Sequence, residues 1–212
     1  MHAVYPPVAE VFRWHDTADQ LETRVALGIQ NRHLLLNVKR LHPLAGQRYL
    51  IEAMNEVVRT HPDTRLVICG TGALADDLRA TARSWGVERH VEFKGLVDNA
   101  TIARYCGAAD LFVLPSLLEA LPTVAVEALA AGTPVVSSDN PGGLELNELF
   151  GPDVEIVPRE QPLPLAAAIT GFLDNKRRAH AATRDTLARE FSAAGVAARY
   201  RELYTSVSRG AA

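Results

Sequence analysis

Pro115-Ser-Leu-Leu-Glu-Ala-Leu-Pro-Thr-Val-Ala-Val-Glu-Ala-Leu-Ala-Ala-Gly132 is the stretch whose reading decides the fold. Just before it, Asp110-Leu-Phe-Val-Leu114 is an apolar run of strand formers, short enough for one buried strand. Just after it, Thr133-Pro-Val-Val-Ser-Ser138 reads as the next strand. A loop and a helix lie between. Pro122 suits the first helical position, where a missing N–H is no loss, and Gly132 suits the terminator. The order strand–loop–helix–strand is a βαβ crossover. Its loop falls at the carboxyl end of a strand, on the rim where open α/β sheets bind ligands. The N–H groups of Thr123 and Val124, together with the positive end of the helix dipole, favour an anion. Glu119 in the loop and Glu127 on the helix flank that start. An anion site with two carboxylates beside it points to a phosphorylated ligand that also carries hydroxyl groups.

Working outward, the same alternation extends along the chain. Strands are expected at His33–Val38, Arg65–Cys69, Val91–Phe93 and Val154–Val157, besides the two already placed. Helices are expected at about 48–60, 73–85 and 98–106, with a short one after Asp139–Gly143 and helix from Pro164 onward. Strands alternating with helices call for a doubly wound, mostly parallel, six-stranded Rossmann-like sheet covered on both faces, with a helical C-terminus. Residues 1–32 are less regular. The prolines of Met1-His-Ala-Val-Tyr-Pro-Pro-Val8 impose an extended start, and Asp16 to Gly28 can form a helix with Asp16 or Thr17 as cap and Leu21, Val25 and Leu27 as its apolar positions. The predicted organisation is a leading segment over 1–32 and one Rossmann-like domain over 33–212.

Composition narrows the function classes. The 212 residues are 48% hydrophobic and 22% charged, ordinary for a globular domain that needs no metal or disulfide to hold it. A formal charge of −3 gives no electrostatic case for nucleic acid. Cys69 and Cys106 are far apart, with no metal-ligand or redox spacing, and read as buried thiols in a reducing compartment. A cytoplasmic location is therefore expected. No apolar run approaches the length a bilayer requires. The histidines show no metal-like pairing, and no Ser-His-Asp set is visible.

The loops after successive strands should converge on one rim. Arg40 offers a fork geometry to phosphate, although a surface ion pair is the blander use of such a residue. Gly70-Thr-Gly72 permits close backbone approach, or simply a turn. Lys94 to Val97 present backbone groups to a base edge, and Gly142-Gly143 opens a second phosphate or sugar contact. Glu127 also fits a solvated helix position, and Glu119 a favourable charge beside the helix dipole.

With these residues in place the sequence resembles the C-terminal half of glycosyltransferase family 4, the group 1 retaining enzymes of the GT-B fold. The resemblance is carried by two glutamates separated by seven residues, Glu119 and Glu127, inside Pro-Ser-Leu-Leu-Glu and Val-Glu-Ala-Leu-Ala-Ala-Gly-Thr-Pro-Val-Val. Val67-Ile-Cys-Gly-Thr-Gly72, Val91-Glu-Phe-Lys-Gly95 and Ala109-Asp-Leu-Phe-Val-Leu-Pro-Ser116 support it in order and spacing. It implies a nucleotide-diphosphate sugar on the rim, with no metal and no separate cofactor. Glu119 would face the donor sugar, Glu127 the ribose hydroxyls, the amides around Leu121, Pro122, Thr123 and Val124 the diphosphate, and Gly95, Leu96 and Val97 the base. Arg40 would meet the developing phosphate charge. The family usually pairs that arginine with a lysine, where this chain has Ala45, while Lys39 replaces a glycine. A GT-B enzyme also has an N-terminal acceptor domain, which the resemblance does not cover. The expectation is thus the donor-binding half of a hexosyltransferase of polysaccharide-biosynthesis type, an excised or split piece that does not turn over alone. The alternative expectation is a non-catalytic binding or assembly module. Any peripheral membrane contact would fall to the other half.

Overall fold

The structure is a computed structural model and describes residues 4–210. Met1 to Ala3, part of the expected extended start, lie outside the described residues. The chain forms β1 (His33–Val38), β2 (Thr64–Cys69), β3 (Val91–Gly95), β4 (Leu111–Leu114), β5 (Val135–Ser138) and β6 (Val154–Val157). They make one six-stranded sheet in the order β3-β2-β1-β4-β5-β6, and every pairing is parallel. Strands buried on both faces read as continuous apolar runs, which is why Leu34-Leu-Leu36 and Leu111–Leu114 show no alternation.

One face carries α2 (Gln47–Thr60), α3 (Ala75–Ser84) and α7 (Pro162–Asn175), packed through Leu50, Met54, Val57, Leu78 and Ile169. The other face carries α4 (Asn99–Ala108), α5 (Thr123–Ala130), α6 (Pro141–Phe150) and α8 (Ala181–Glu190), around Phe112, Val126, Leu129 and Leu146. The helix α9 (Ala193–Gly210) follows. Tyr5 stacks on Phe191 at 4.8 Å and donates its hydroxyl to Glu145 Oε1 at 2.8 Å, so the leading segment lies against the C-terminal helices. Burial and that carboxylate push the Tyr5 hydroxyl up to about 12.

The helix α1 (Thr17–Leu27) forms where expected, capped by Asp16 and closed by Gly28 at φ 68°. Of its three expected apolar positions, only Leu27 packs against the core. Leu21 and Val25 are 57% and 82% exposed, and the residues turned inward are Gln20 and Arg24. Arg24 donates to the Ala108 carbonyl at 2.8 Å and pairs with Asp110 at 2.5 Å, while Gln20 donates to the Ala109 carbonyl at 2.9 Å. Asp110 in turn accepts the Leu34 N–H at 2.7 Å. Besides Leu27, the helix is held by hydrogen bonds to the end of α4, to the loop ahead of β4 and to the Arg32 carbonyl ahead of β1, a mode that apolar periodicity does not report.

This predicts an inverted pattern of sensitivity along α1. Leu21→Ala and Val25→Ala should shift denaturant stability by less than about 0.5 kcal/mol. Arg24→Ala, which strands the Asp110 carboxylate, should cost on the order of 3 kcal/mol. Urea unfolding of the three variants checks it; equal losses would return the helix to apolar packing.

Candidate functional site

The strand order reverses between β1 and β4, so the loops after these two strands leave the sheet in opposite directions and open a crevice between them. Gly46 sits at φ 67° directly against the β4 loop, where a Cβ would lie 2.0 Å from the Pro115 carbonyl oxygen. Only glycine fits there. The Leu117 N–H donates to the Leu44 carbonyl at 2.8 Å, which joins the two loops beneath the crevice. Gly72 plays a similar part next door, with a Cβ position 2.1 Å from the Leu41 carbonyl oxygen. Its close approach is to the protein's own backbone.

Beside the crevice lies a cavity of about 400 Å³. Val38, Lys39 and Arg40 line it from the end of β1, Cys69, Gly70 and Thr71 from β2, Leu96 and Val97 from β3, and Val124 from α5. Six residues expected at the site from sequence, Lys39, Arg40, Gly70, Leu96, Val97 and Val124, therefore share one cavity wall. Arg40 is exposed, and no side-chain partner for its guanidinium exists among the described residues, whereas its carbonyl accepts from Gln47 at 3.2 Å. Leu96 is 84% exposed at the mouth. Burial pushes the Cys69 thiol up to about 11, so this thiol stays protonated and is no nucleophile. Thr71 and Ile102 also line the cavity; sequence gave no sign of the second, because it comes from the face of α4. Gly95 stands outside it and serves through its carbonyl, which accepts the Gly70 N–H at 2.7 Å.

The helix α5 begins one residue later than expected. Pro122 is its cap, at φ −80° and ψ 88°, rather than its first helical residue. The Pro122 carbonyl accepts the N–H groups of Ala125 and Val126 at 2.9 and 3.3 Å. The Thr123 and Val124 amides find no acceptor among the described residues. One turn on, Glu127 lies on the same face as Thr123. It is half-buried, receives no hydrogen bond from the described residues, and burial alone holds its carboxyl above the usual range. Leu121 is half-buried in the lead-in and packs on the core.

Gly142 and Gly143 behave otherwise than expected. Both are buried at the start of α6, and their amides are already used. The Gly142 N–H donates to the Glu119 carbonyl at 3.1 Å and the Gly143 N–H to Asn140 Oδ1 at 3.0 Å. Asn140 Nδ2 meanwhile donates to the Ser116 carbonyl at 2.8 Å. The start of α6 thus grips the β4 loop and has no amide left for a phosphate. Glu119, presented by that loop, is 10% exposed and forms an ion pair with Lys39, Oε1 to Nζ 2.5 Å. Among the described residues no three His, Cys, Asp or Glu side chains are placed to hold a metal ion, and no helix is long and apolar enough to cross a membrane.

Comparison with known proteins adds the family context. The profile of the family described as "Glycosyl transferases group 1" matches residues 19–188. The chain is 39% identical over 181 residues to a glycogen synthase of Mycobacterium tuberculosis, covering 83% of this chain and 43% of that protein. It is 31% identical over 213 residues to a D-inositol 3-phosphate glycosyltransferase of Corynebacterium glutamicum, covering 95% and 51%. The chain spans about half the length of these curated relatives. Among solved structures, Anabaena Alr3699/HepE in complex with UDP superposes with a TM-score of 0.78 at 22% identity, over 97% of this chain and 57% of that one. The C-terminal domain of a glycosyl transferase group 1 family protein (LpcC) from Francisella tularensis superposes with a TM-score of 0.74 at 16% identity, over 88% of this chain and all of that one (100%).

The unpartnered Glu127 carboxylate predicts a stability signature. Because its folded-state carboxyl binds a proton more readily than the unfolded one, the native state holds the extra proton, and stability falls as pH rises through that window. Glu127→Gln should therefore raise the thermal midpoint at pH 7, with the gain vanishing below the ordinary carboxylate range. A lower midpoint at pH 7 would mean that the carboxylate is held by the protein after all.

Proposed function

The chain belongs to the glycosyl transferases group 1 family, and on that premise we propose that it is the donor-binding half of a retaining glycosyltransferase that uses a nucleoside-diphosphate sugar. The observation that carries the reading is the pairing of the free Thr123 and Val124 amides with the unpartnered Glu127 one turn behind them. A half-buried carboxylate with no donor, beside an anion-binding helix start, matches a ligand in which hydroxyls and phosphates are neighbours. A ribose diphosphate is such a ligand.

In this reading the base enters the cavity of about 400 Å³ and lies against Leu96 and Val97. The ribose hydroxyls donate to Glu127, and the diphosphate lies across the Thr123 and Val124 amides, at the positive end of α5 and within reach of Arg40. The sugar then points along the β4 loop toward Glu119. When the bond from the anomeric carbon to the diphosphate breaks, negative charge grows on the leaving oxygens. The fixed amides stabilise it without reorganisation, and the Arg40 guanidinium adds a positive charge. The acceptor is held by a second Rossmann-like half across the crevice, in the same polypeptide or another; its hydroxyl oxygen bonds to the anomeric carbon on the face the diphosphate leaves, and its proton passes to the leaving phosphate oxygen. The names of the relatives and the UDP in the HepE structure support this reading.

Loss of transfer with retention of binding is the second reading, favoured by Ala45, which is 3% exposed and offers no charge to the crevice. The two readings share the donor site and part only when an acceptor half is supplied.

Calorimetric titration of the folded chain with UDP, GDP, ADP and their sugars tests the shared site. One base series should bind at or below millimolar concentration. Glu127→Gln should weaken that ligand by about tenfold or more, the scale of a hydrogen bond to a charged group. No binding by any of the series to folded protein would refute the donor-site reading.

A further inference from the structure

We infer that Lys39 is a shared cation, held by Glu119 while the donor site is empty and passed to the diphosphate when a nucleoside diphosphate binds. The inference rests on the donor-site reading above and adds a coupling between the two ends of the site.

Two cationic side chains line the cavity, and they stand in different states. Arg40 is exposed, with no side-chain partner among the described residues. Lys39 is 29% exposed in its side chain and lies 2.5 Å from Glu119 Oε1. Among the described residues that contact is the only partner of this buried oxygen, which accepts no hydrogen bond of regular geometry. Lys39 therefore does two things at once. It forms part of the wall of the cavity, and it neutralises a carboxylate that is 10% exposed and would otherwise stand charged and uncompensated in the β4 loop.

A carboxylate holding one ammonium by a single oxygen is a weak competitor for it. A diphosphate brings more negative charge and more acceptor oxygens to the same cavity wall, and the lysine stem can swing its ammonium between the two without moving the backbone. Transfer of Nζ to the diphosphate leaves Glu119 ionised and unmasked where the donor sugar would lie. Its negative charge then faces the carbon on which positive charge develops as the leaving group departs. Only a ligand with the diphosphate can do this. A nucleoside or a free sugar occupies its part of the site and leaves Glu119 covered. No covalent step is involved; one ion pair is exchanged for another.

The geometry makes Glu119 and the diphosphate rivals for one cation, and rivalry gives a sign that mere proximity does not. The experiment is calorimetric titration of the nucleoside diphosphate that binds the unaltered chain, with the matching nucleoside as control. The proteins are the unaltered chain, Glu119→Gln, Lys39→Met and the double variant. Glu119→Gln should tighten diphosphate binding about three- to tenfold, because Lys39 no longer has to be taken from a carboxylate. Lys39→Met should weaken it about tenfold or more, and the nucleoside should bind all four proteins alike.

Lys39→Met strands the Glu119 carboxylate and can cost folding. The double variant removes both charges, so comparing it with Glu119→Gln isolates Lys39 on a neutral background, where the same loss of about tenfold is expected. Unchanged diphosphate affinity on removing Lys39 from that background overturns the inference, and so does a Glu119→Gln variant that binds more weakly than the unaltered chain. If either happens while Glu127→Gln still weakens the ligand, the shared cation alone falls. If no nucleoside diphosphate binds the unaltered chain, the donor-site reading falls and this inference with it.

Discussion

Leu35 and Leu36 of β1 pair with Leu111 and Phe112 of β4, and this junction is the constraint on which the site depends. Strands that are distant in sequence become neighbours there, and their following loops must part to opposite sides of the sheet. The gap so made is given its shape by backbone. Gly46 lies against Pro115, Leu117 is tied to Leu44, and Asn140 bridges the β4 loop to the start of α6. Side chains at the crevice are then displayed from a frame that has little freedom to move. Every residue assigned to the ligand in this account depends on that frame.

Electrostatics separate two residues that look alike in the sequence. Glu119 and Glu127 are both carboxylates near the start of α5, yet one is neutralised by Lys39 and the other has no partner among the described residues. The difference follows from where each is mounted. Glu119 rides on a loop pressed toward the end of β1, within reach of a lysine. Glu127 sits on a helix whose surroundings desolvate it without offering a donor. An unpaired carboxylate of this kind costs stability, a strain that persists at sites where function uses it.

Most of the sheet was legible because buried parallel strands announce themselves as apolar runs, and all six lie within two residues of their expected bounds. The cap at Asp16 was visible as a short polar residue ahead of a helical segment, whereas α6 starts at Pro141 behind an Asn140 cap, inside the stretch expected as loop. Other features were hidden. Beyond Leu27, the inward face of α1 is polar because its partners are carbonyls ahead of β4, and periodicity counts only apolar residues. Gly142 and Gly143 resemble an open phosphate turn in sequence, yet their amides are spent on Glu119 and Asn140, acceptors that the register of two loops brings near. The Lys39–Glu119 pair joins positions eighty residues apart, and no local pattern encodes it. What sequence conveyed was the set of site residues; what it withheld was which of their polar groups are already occupied.

That distinction can be measured directly. In amide-resolved NMR of the isotopically labelled chain, added nucleoside diphosphate should shift the Thr123 and Val124 amides strongly. The Gly142 and Gly143 amides, bonded within the protein, should move little. Strong shifts at Gly142 and Gly143 with Thr123 and Val124 unmoved would place the anion on α6 and contradict the account.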